Sequence, residues 1–275
     1  MGDARLDHEM SSEAFRSGKD VFTILVTGFG PFRAQYPVNP SWEIARSLPA
    51  YLPPLRAKDL AARPPPSADG ADDNLPAVRI LVHPEPIRVT YENVRALVPT
   101  FWDGTYGSGG EDGQQQAPRI DAAVHIGMAS ARPQYALERR AHRTGYLKPD
   151  VDGELLEDER PGRRDPGAGW IWEGLPDELD SALDIPGVYQ RWKDLGSPDM
   201  DLRISDDPGR YLCDFIYYSS LATLRRQERP GKVCFFHVPA DASDLAVERG
   251  RDLALNLIRS IAETEIAERK KGAAA

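Results

Sequence analysis

Val21-Phe22-Thr23-Ile24-Leu25-Val26-Thr27, closed by Gly28, is the stretch that decides the fold class of this chain. The run is apolar and β-branched and lacks the alternation of a half-exposed strand. It predicts a strand buried on both faces, as in a parallel sheet covered by helices. Immediately downstream, Asn39 and Pro40 read as the cap and first position of a helix whose apolar side is Trp42, Ile44, Ala45 and Leu48. Further strands are predicted at 78–83, 119–126, 203–205 and 232–238. Helices are predicted over 91–101, broken by Pro99, over 175–195 with an interruption at Pro186, and over 211–226 and 242–270. This alternation predicts an α/β three-layer sandwich: a mostly parallel central sheet, helices on both faces, and loop insertions.

The 275 residues fit one such domain over 21–270, preceded by a polar, aperiodic tail at 1–20 that is expected to be disordered. Three stretches rich in Pro, Gly and charge, at about 52–77, 104–118 and 150–169, read as insertions. With 34 basic and 43 acidic side chains the net charge is −9, which argues against a nucleic-acid partner. Two cysteines make no disulfide framework. No run reaches the ~18 apolar residues of a membrane span. The first twenty residues lack the apolar core of a signal peptide, and Leu6 stands where a myristoylation motif needs Ser or Thr. A cytoplasmic protein is expected.

Three side chains stand out chemically. Cys213 falls in the first turn of the helix predicted over 211–226, where unpaired amides and the helix dipole favour a thiolate; the alternative is a small buried hydrophobe. His237 closes the apolar strand Val233-Cys234-Phe235-Phe236, at the strand end where parallel sheets present functional groups. It is either bonded to a loop carbonyl or the base for a cysteine nucleophile. Cys234, the rival nucleophile, is mid-strand and points to the face opposite His237. Glu138 follows the loop after the strand at 119–126. It could orient an imidazole, or form a surface ion pair with the arginines beside it. Gly28-Phe29-Gly30 begins like a dinucleotide fingerprint, but Pro31 and the missing third glycine spoil it. The five histidines and two cysteines show no metal-ligand spacing, so no metal and no cofactor is expected.

Several blocks in this order carry a family resemblance: Thr27-Gly28-Phe29-Gly30-Pro31-Phe32, Val38-Asn39-Pro40-Ser41-Trp42-Glu43, Gly127-Met128-Ala129, Glu138-Arg139, Tyr211-Leu212-Cys213-Asp214 and Phe236-His237-Val238-Pro239. Together they resemble pyroglutamyl peptidase I, the pyrrolidone carboxyl peptidase family of cysteine peptidases, over roughly residues 21–265 apart from the insertions. The resemblance implies a cysteine omega peptidase that removes an amino-terminal pyroglutamyl residue from small peptides. Its triad would be Cys213 as nucleophile, His237 as general base and acid, and Glu138 orienting the histidine. It further implies a lactam slot made by Phe29, Phe32, Tyr211 and Leu212, with Asn39 and the backbone of Met128 as polar contacts. An apolar slot with a few amide contacts suits a flat, neutral lactam.

The chain departs from the family pattern in four places. Arg33-Ala34 replaces a Gly-Gly pair, and the glycine-rich loop reads Gly127-Met128-Ala129-Ser130-Ala131-Arg132. Asp214 replaces an asparagine after the nucleophile, putting a negative charge where it opposes thiol ionisation. Ala141–Asp150 replaces the segment whose arginine assists the oxyanion site, leaving Lys148 or Arg143 as candidates for that role. The insertions cover surfaces used for tetramers by bacterial members, which leaves the oligomeric state open. Two other readings accompany the peptidase: a non-catalytic homologue that binds or regulates, and a cysteine amidohydrolase of another cyclic amide.

Overall fold

The opening run forms β1 (Phe22–Gly28), buried at every position. The protein is seen here as a computed structural model that describes residues 21–55, 75–106, 117–159 and 171–274. The tail at 1–20 and parts of the three expected insertions, 56–74, 107–116 and 160–169, lie outside the described residues. The other strands are β2 (Val78–Val82), β3 (Ala122–Met128), β4 (Tyr135–Glu138), β5 (Arg140–His142), β6 (Glu178–Asp180), β7 (Leu202–Ser205) and β8 (Val233–Val238). The helices are α1 (Pro40–Arg46), α2 (Tyr91–Trp102), α3 (Ile185–Leu195), α4 (Leu212–Arg226) and α5 (Asp244–Ala274).

Six strands form one sheet in the order β2-β1-β3-β8-β4-β7, and β5 and β6 pair separately. β2, β1, β3 and β8 run parallel; β4 is antiparallel to β8, and β7 is parallel to β4. Alternate strand residues feed two cores. Ile24, Val26, Val124, Ile126, Cys234 and Phe236 pack with α1, α3 and α5, whereas Leu25, Ala123 and Phe235 pack with α2 and α4. This is the expected three-layer α/β arrangement.

The differences from the sequence reading are local. Asn39 does cap α1, its side chain accepting from Ser41 N at 3.1 Å. β3 begins three residues later and ends two residues later than predicted. Pro99 does not break α2, which runs to Trp102 with Pro99 inside it. Burial of Val98, Phe101 and Trp102 along one side outweighs the backbone hydrogen bond that proline removes. Pro186 does not interrupt a helix either. It sits in the first turn of α3, behind the Asp184 cap, where a missing N–H costs nothing, and the residues before it form β6. Residues 150–159, assigned to an insertion, lie against α2. Asp150 accepts from Tyr91 N at 3.2 Å, Leu156 is buried, and Asp158 pairs with Arg95.

Candidate active site

The sheet itself aligns two of the three predicted catalytic side chains. His237 is the fifth residue of β8 and stands directly opposite Ala136 of β4, so Glu138, two residues on, is its diagonal neighbour on the same face. Glu138 Oε1 lies 2.7 Å from His237 Nδ1, and both side chains are buried. Arg132, in the loop between β3 and β4, places Nη1 at 3.2 Å from the same oxygen and donates through Nη2 to Asp207 O at 2.9 Å. The second carboxylate oxygen, Oε2, is buried without a hydrogen-bond partner among the described residues.

The sulfur approaches from the helix layer. Tyr211 is the N-cap of α4 and offers no side-chain cap bond, so Cys213 sits in a first turn whose amides no cap side chain occupies. On the other side of His237, its register partner in β3 is Gly127. A β-carbon at Gly127 would stand 3.0 Å from Cys213 Sγ and 2.4 Å from Phe235 Cζ. The bare glycine thus gives room to the sulfur beside the strand position that faces His237, with the Phe235 ring packed 4.6 Å from the imidazole. Among the described residues no hydrogen bond joins thiol and imidazole. Cys234 is fully buried in the opposite core, as its strand position required.

The expected helix-stabilised thiolate is opposed by the packing. Burial pushes the Cys213 thiol up to about 12, and the negative charges of Glu138 and Asp214 push in the same direction. The residue's own backbone amide and Arg132 pull the other way and are outweighed. Desolvation of the charged sulfur thus exceeds the help of the helix terminus.

Of the residues assigned to a lactam slot, Phe32 and Tyr211 meet at the start of α4. The Phe32 and Tyr211 rings lie 6.3 Å apart, and Tyr211 meets Tyr91 edge-on. Phe29 and Leu212 are buried in the same core. The Asn39 amide is engaged in shaping the loop, donating to Gly30 O at 2.8 Å and accepting from both the amide and the hydroxyl of Ser41. Met128 ends β3 opposite Val238. Among the described residues no cluster of His, Cys, Asp and Glu is arranged to hold a metal ion, and no helix is long and apolar enough to cross a membrane.

No protein-family model matches the chain. It is 30% identical over 216 residues to pyroglutamyl-peptidase 1 of Homo sapiens, covering 78% of each protein. The chain belongs to the pyroglutamyl-peptidase 1 family. The pyrrolidone-carboxylate peptidase of Thermococcus onnurineus is 26% identical over 217 residues, covering 78% of this chain and 82% of that one. A variant pyrrolidone carboxyl peptidase from Pyrococcus furiosus superposes with a TM-score of 0.56 over 90% of this chain and 99% of that one; at 21% identity it speaks for the fold alone.

Among pyroglutamyl-peptidase 1 family features, the departures noted in the sequence have definite surroundings here. The Asp214 carboxylate is buried but compensated. It accepts from His142 N at 2.9 Å and His142 Nδ1 at 3.1 Å, with Arg210 at 3.3 Å. Arg143 is turned away toward Leu175 O and Asp177. Lys148 lies nearer the aromatic slot, its carbonyl accepting from the Tyr91 hydroxyl at 2.9 Å. The guanidinium beside Glu138 is that of Arg132, to which the sequence reading gave no role. Its signal was an arginine at the end of the small-residue loop leaving β3.

Proposed function

We propose that this protein hydrolyses the amide bond after an amino-terminal pyroglutamyl residue, with Cys213 as nucleophile, His237 as general base and acid, and Glu138 holding the imidazole. The observation that carries the assignment of roles is the 2.7 Å contact between Glu138 Oε1 and His237 Nδ1. A carboxylate there takes the Nδ1 proton as a hydrogen bond, which leaves the Nε2 lone pair free to accept the thiol proton. Because burial holds the Cys213 thiol neutral near pH 7, ionisation is tied to attack. His237 removes the proton as sulfur adds to the carbonyl carbon.

The negative oxygen of the tetrahedral adduct is stabilised by the amides of the first turn of α4. The imidazolium then protonates the departing amine, leaving a thioester between Cys213 and the pyroglutamyl carbonyl. A water molecule, deprotonated by His237, attacks that thioester; pyroglutamate leaves and the thiol regains its proton. Phe29, Phe32, Tyr211 and Leu212 enclose the lactam, Met128 supplies backbone contacts, and Asn39 fixes the loop that carries the two phenylalanines. Two free cysteines support a cytoplasmic setting, and the net negative charge favours a small peptide over nucleic acid as partner.

Release of aminomethylcoumarin from its pyroglutamyl amide, measured beside the prolyl amide, tests the activity. Cleavage of the first alone is expected. Cys213→Ser should abolish it, and Cys234→Ala should leave most of it. The reverse pattern between the two cysteines would overturn the nucleophile assignment.

A further inference from the structure

Pro31, Phe32, Arg33, Ala34, Pro37 and Val151 line an open hollow of about 340 Å³. Phe32 belongs both to this hollow and to the candidate lactam slot, its ring lying 6.3 Å from that of Tyr211, two residues before Cys213. The guanidinium carbon of Arg33 stands 5.3 Å from the Phe32 ring centroid. Its positive charge is felt at the Tyr211 hydroxyl, where it opposes the rise that burial and Asp150 cause. The residue is exposed on a short turn closed by Tyr36 N donating to Arg33 O at 2.9 Å.

Other arginines around the site are matched with carboxylates: Arg132 with Glu138, Arg139 with Asp206, and Arg210 with Asp207. Arg33 has no carboxylate partner among the described residues. A pyroglutamyl ring is neutral, so this charge has nothing to match in the lactam. It stands exposed beside Phe32, so what it can meet is a part of the substrate outside the lactam slot.

We propose that Arg33 sets the preference for the part of the substrate that follows pyroglutamate, by pairing with a carboxylate there. This rests on the peptidase reading above. That carboxylate comes from an Asp or Glu side chain in the second position, or from the free carboxyl terminus of a dipeptide. Both present a planar anion to a guanidinium.

The test compares kcat/KM at low ionic strength for pyroglutamyl-Glu amide, pyroglutamyl-Gln amide, pyroglutamyl-Lys amide and pyroglutamyl-Gln with a free carboxyl terminus. A solvent-exposed pair is worth up to about fivefold in rate, so the Glu amide or the free acid is expected to exceed the Gln amide by about three- to fivefold. The arm that does so identifies the source of the carboxylate. Arg33→Gln should bring that ratio to one, and Arg33→Glu should favour the Lys amide. A ratio of one in the unaltered protein, or a preference that persists in Arg33→Gln, overturns the proposal. If no pyroglutamyl peptide is cleaved, the peptidase reading fails. Calorimetric binding of the same four peptides then decides on Arg33 by the same ratios.

Discussion

Replacing Glu138 by Gln removes one charge from the centre of the site while keeping its shape, and the consequences have opposite signs at the two reacting groups. Oε1 is 2.7 Å from His237 Nδ1, inside a fully buried environment. A charge-assisted hydrogen bond of this kind contributes about 1.5–3 kcal/mol to holding the imidazolium that forms during attack. That alone predicts a fall in kcat/KM of about 10- to 100-fold. The amide has only one oxygen, and Arg132 now competes for it from 3.2 Å. If the amide turns its NH2 to His237, Nδ1 becomes the acceptor and Nε2 carries the proton, the wrong tautomer for taking one from sulfur. A loss of about 10⁴ is the precedent for that error. At Cys213 the effect runs the other way, because the Glu138 charge contributes to holding the thiol up near 12. The variant should therefore turn over at least about tenfold more slowly, while iodoacetamide alkylation of Cys213 shifts to lower pH. Aminomethylcoumarin release and alkylation rate against pH measure the two halves. Turnover within threefold of the unaltered protein, or a thiol that shifts to higher pH, would refute the reasoning.

Gly127→Ala places a β-carbon 2.4 Å from Phe235 Cζ and 3.0 Å from Cys213 Sγ. With Phe235 fully buried the strain cannot relax outward, so a loss of about 1–3 kcal/mol is expected, together with a fall in turnover as the sulfur is displaced; wild-type Tm with wild-type activity would contradict this. His125 is fully buried between the Thr27 and Ser220 hydroxyls, each at 2.8 Å, and burial lowers its pKa to about 3. A histidine so depressed contributes stability that is complete above about pH 6.5 and is lost as pH falls toward 3. About 2–3 kcal/mol should disappear between pH 7 and 4.5. Urea unfolding of His125→Gln should show a pH difference smaller by that amount; an equal acid sensitivity in both proteins would rule the histidine out as its source.

The parts of the fold that the sequence made legible are those set by local burial and capping. β1 is apolar throughout because both its faces are covered, and Asn39-Pro40 begins a helix because both residues suit its unpaired amides. Pro99 and Pro186 do not act as their local sequence predicts, because a proline's effect depends on what surrounds it: buried neighbours in α2, a first-turn position in α3. β4, only four residues long and closed by Glu138, is too short a run for its sequence to predict a strand. Its direction could not be read either, since no hairpin ties it to its partner β8, almost a hundred residues later. As candidates, Cys213, His237 and Glu138 were accessible from their places at a helix start, a strand end and a loop exit, and the structure brings the last two into contact. The thiol's upward shift was not, because it arises from burial and from charges that only the folded chain brings near.

The proton-accepting half of the site hangs on inter-strand ladders, whereas the nucleophile rides on the end of a separate helix whose cap contributes no side-chain bond. Imidazole and carboxylate therefore hold their spacing through any loosening that spares the sheet, while the sulfur keeps its place through the side-chain bonds of α4: Asp214 to His142, and the Tyr217 hydroxyl donating to Glu138 O and Arg139 O at 3.1 Å. Among descendants of such a chain, silencing need not erase a single reactive side chain. A slight retreat of that helix end would suffice, and would leave behind a histidine and glutamate still perfectly aligned around nothing.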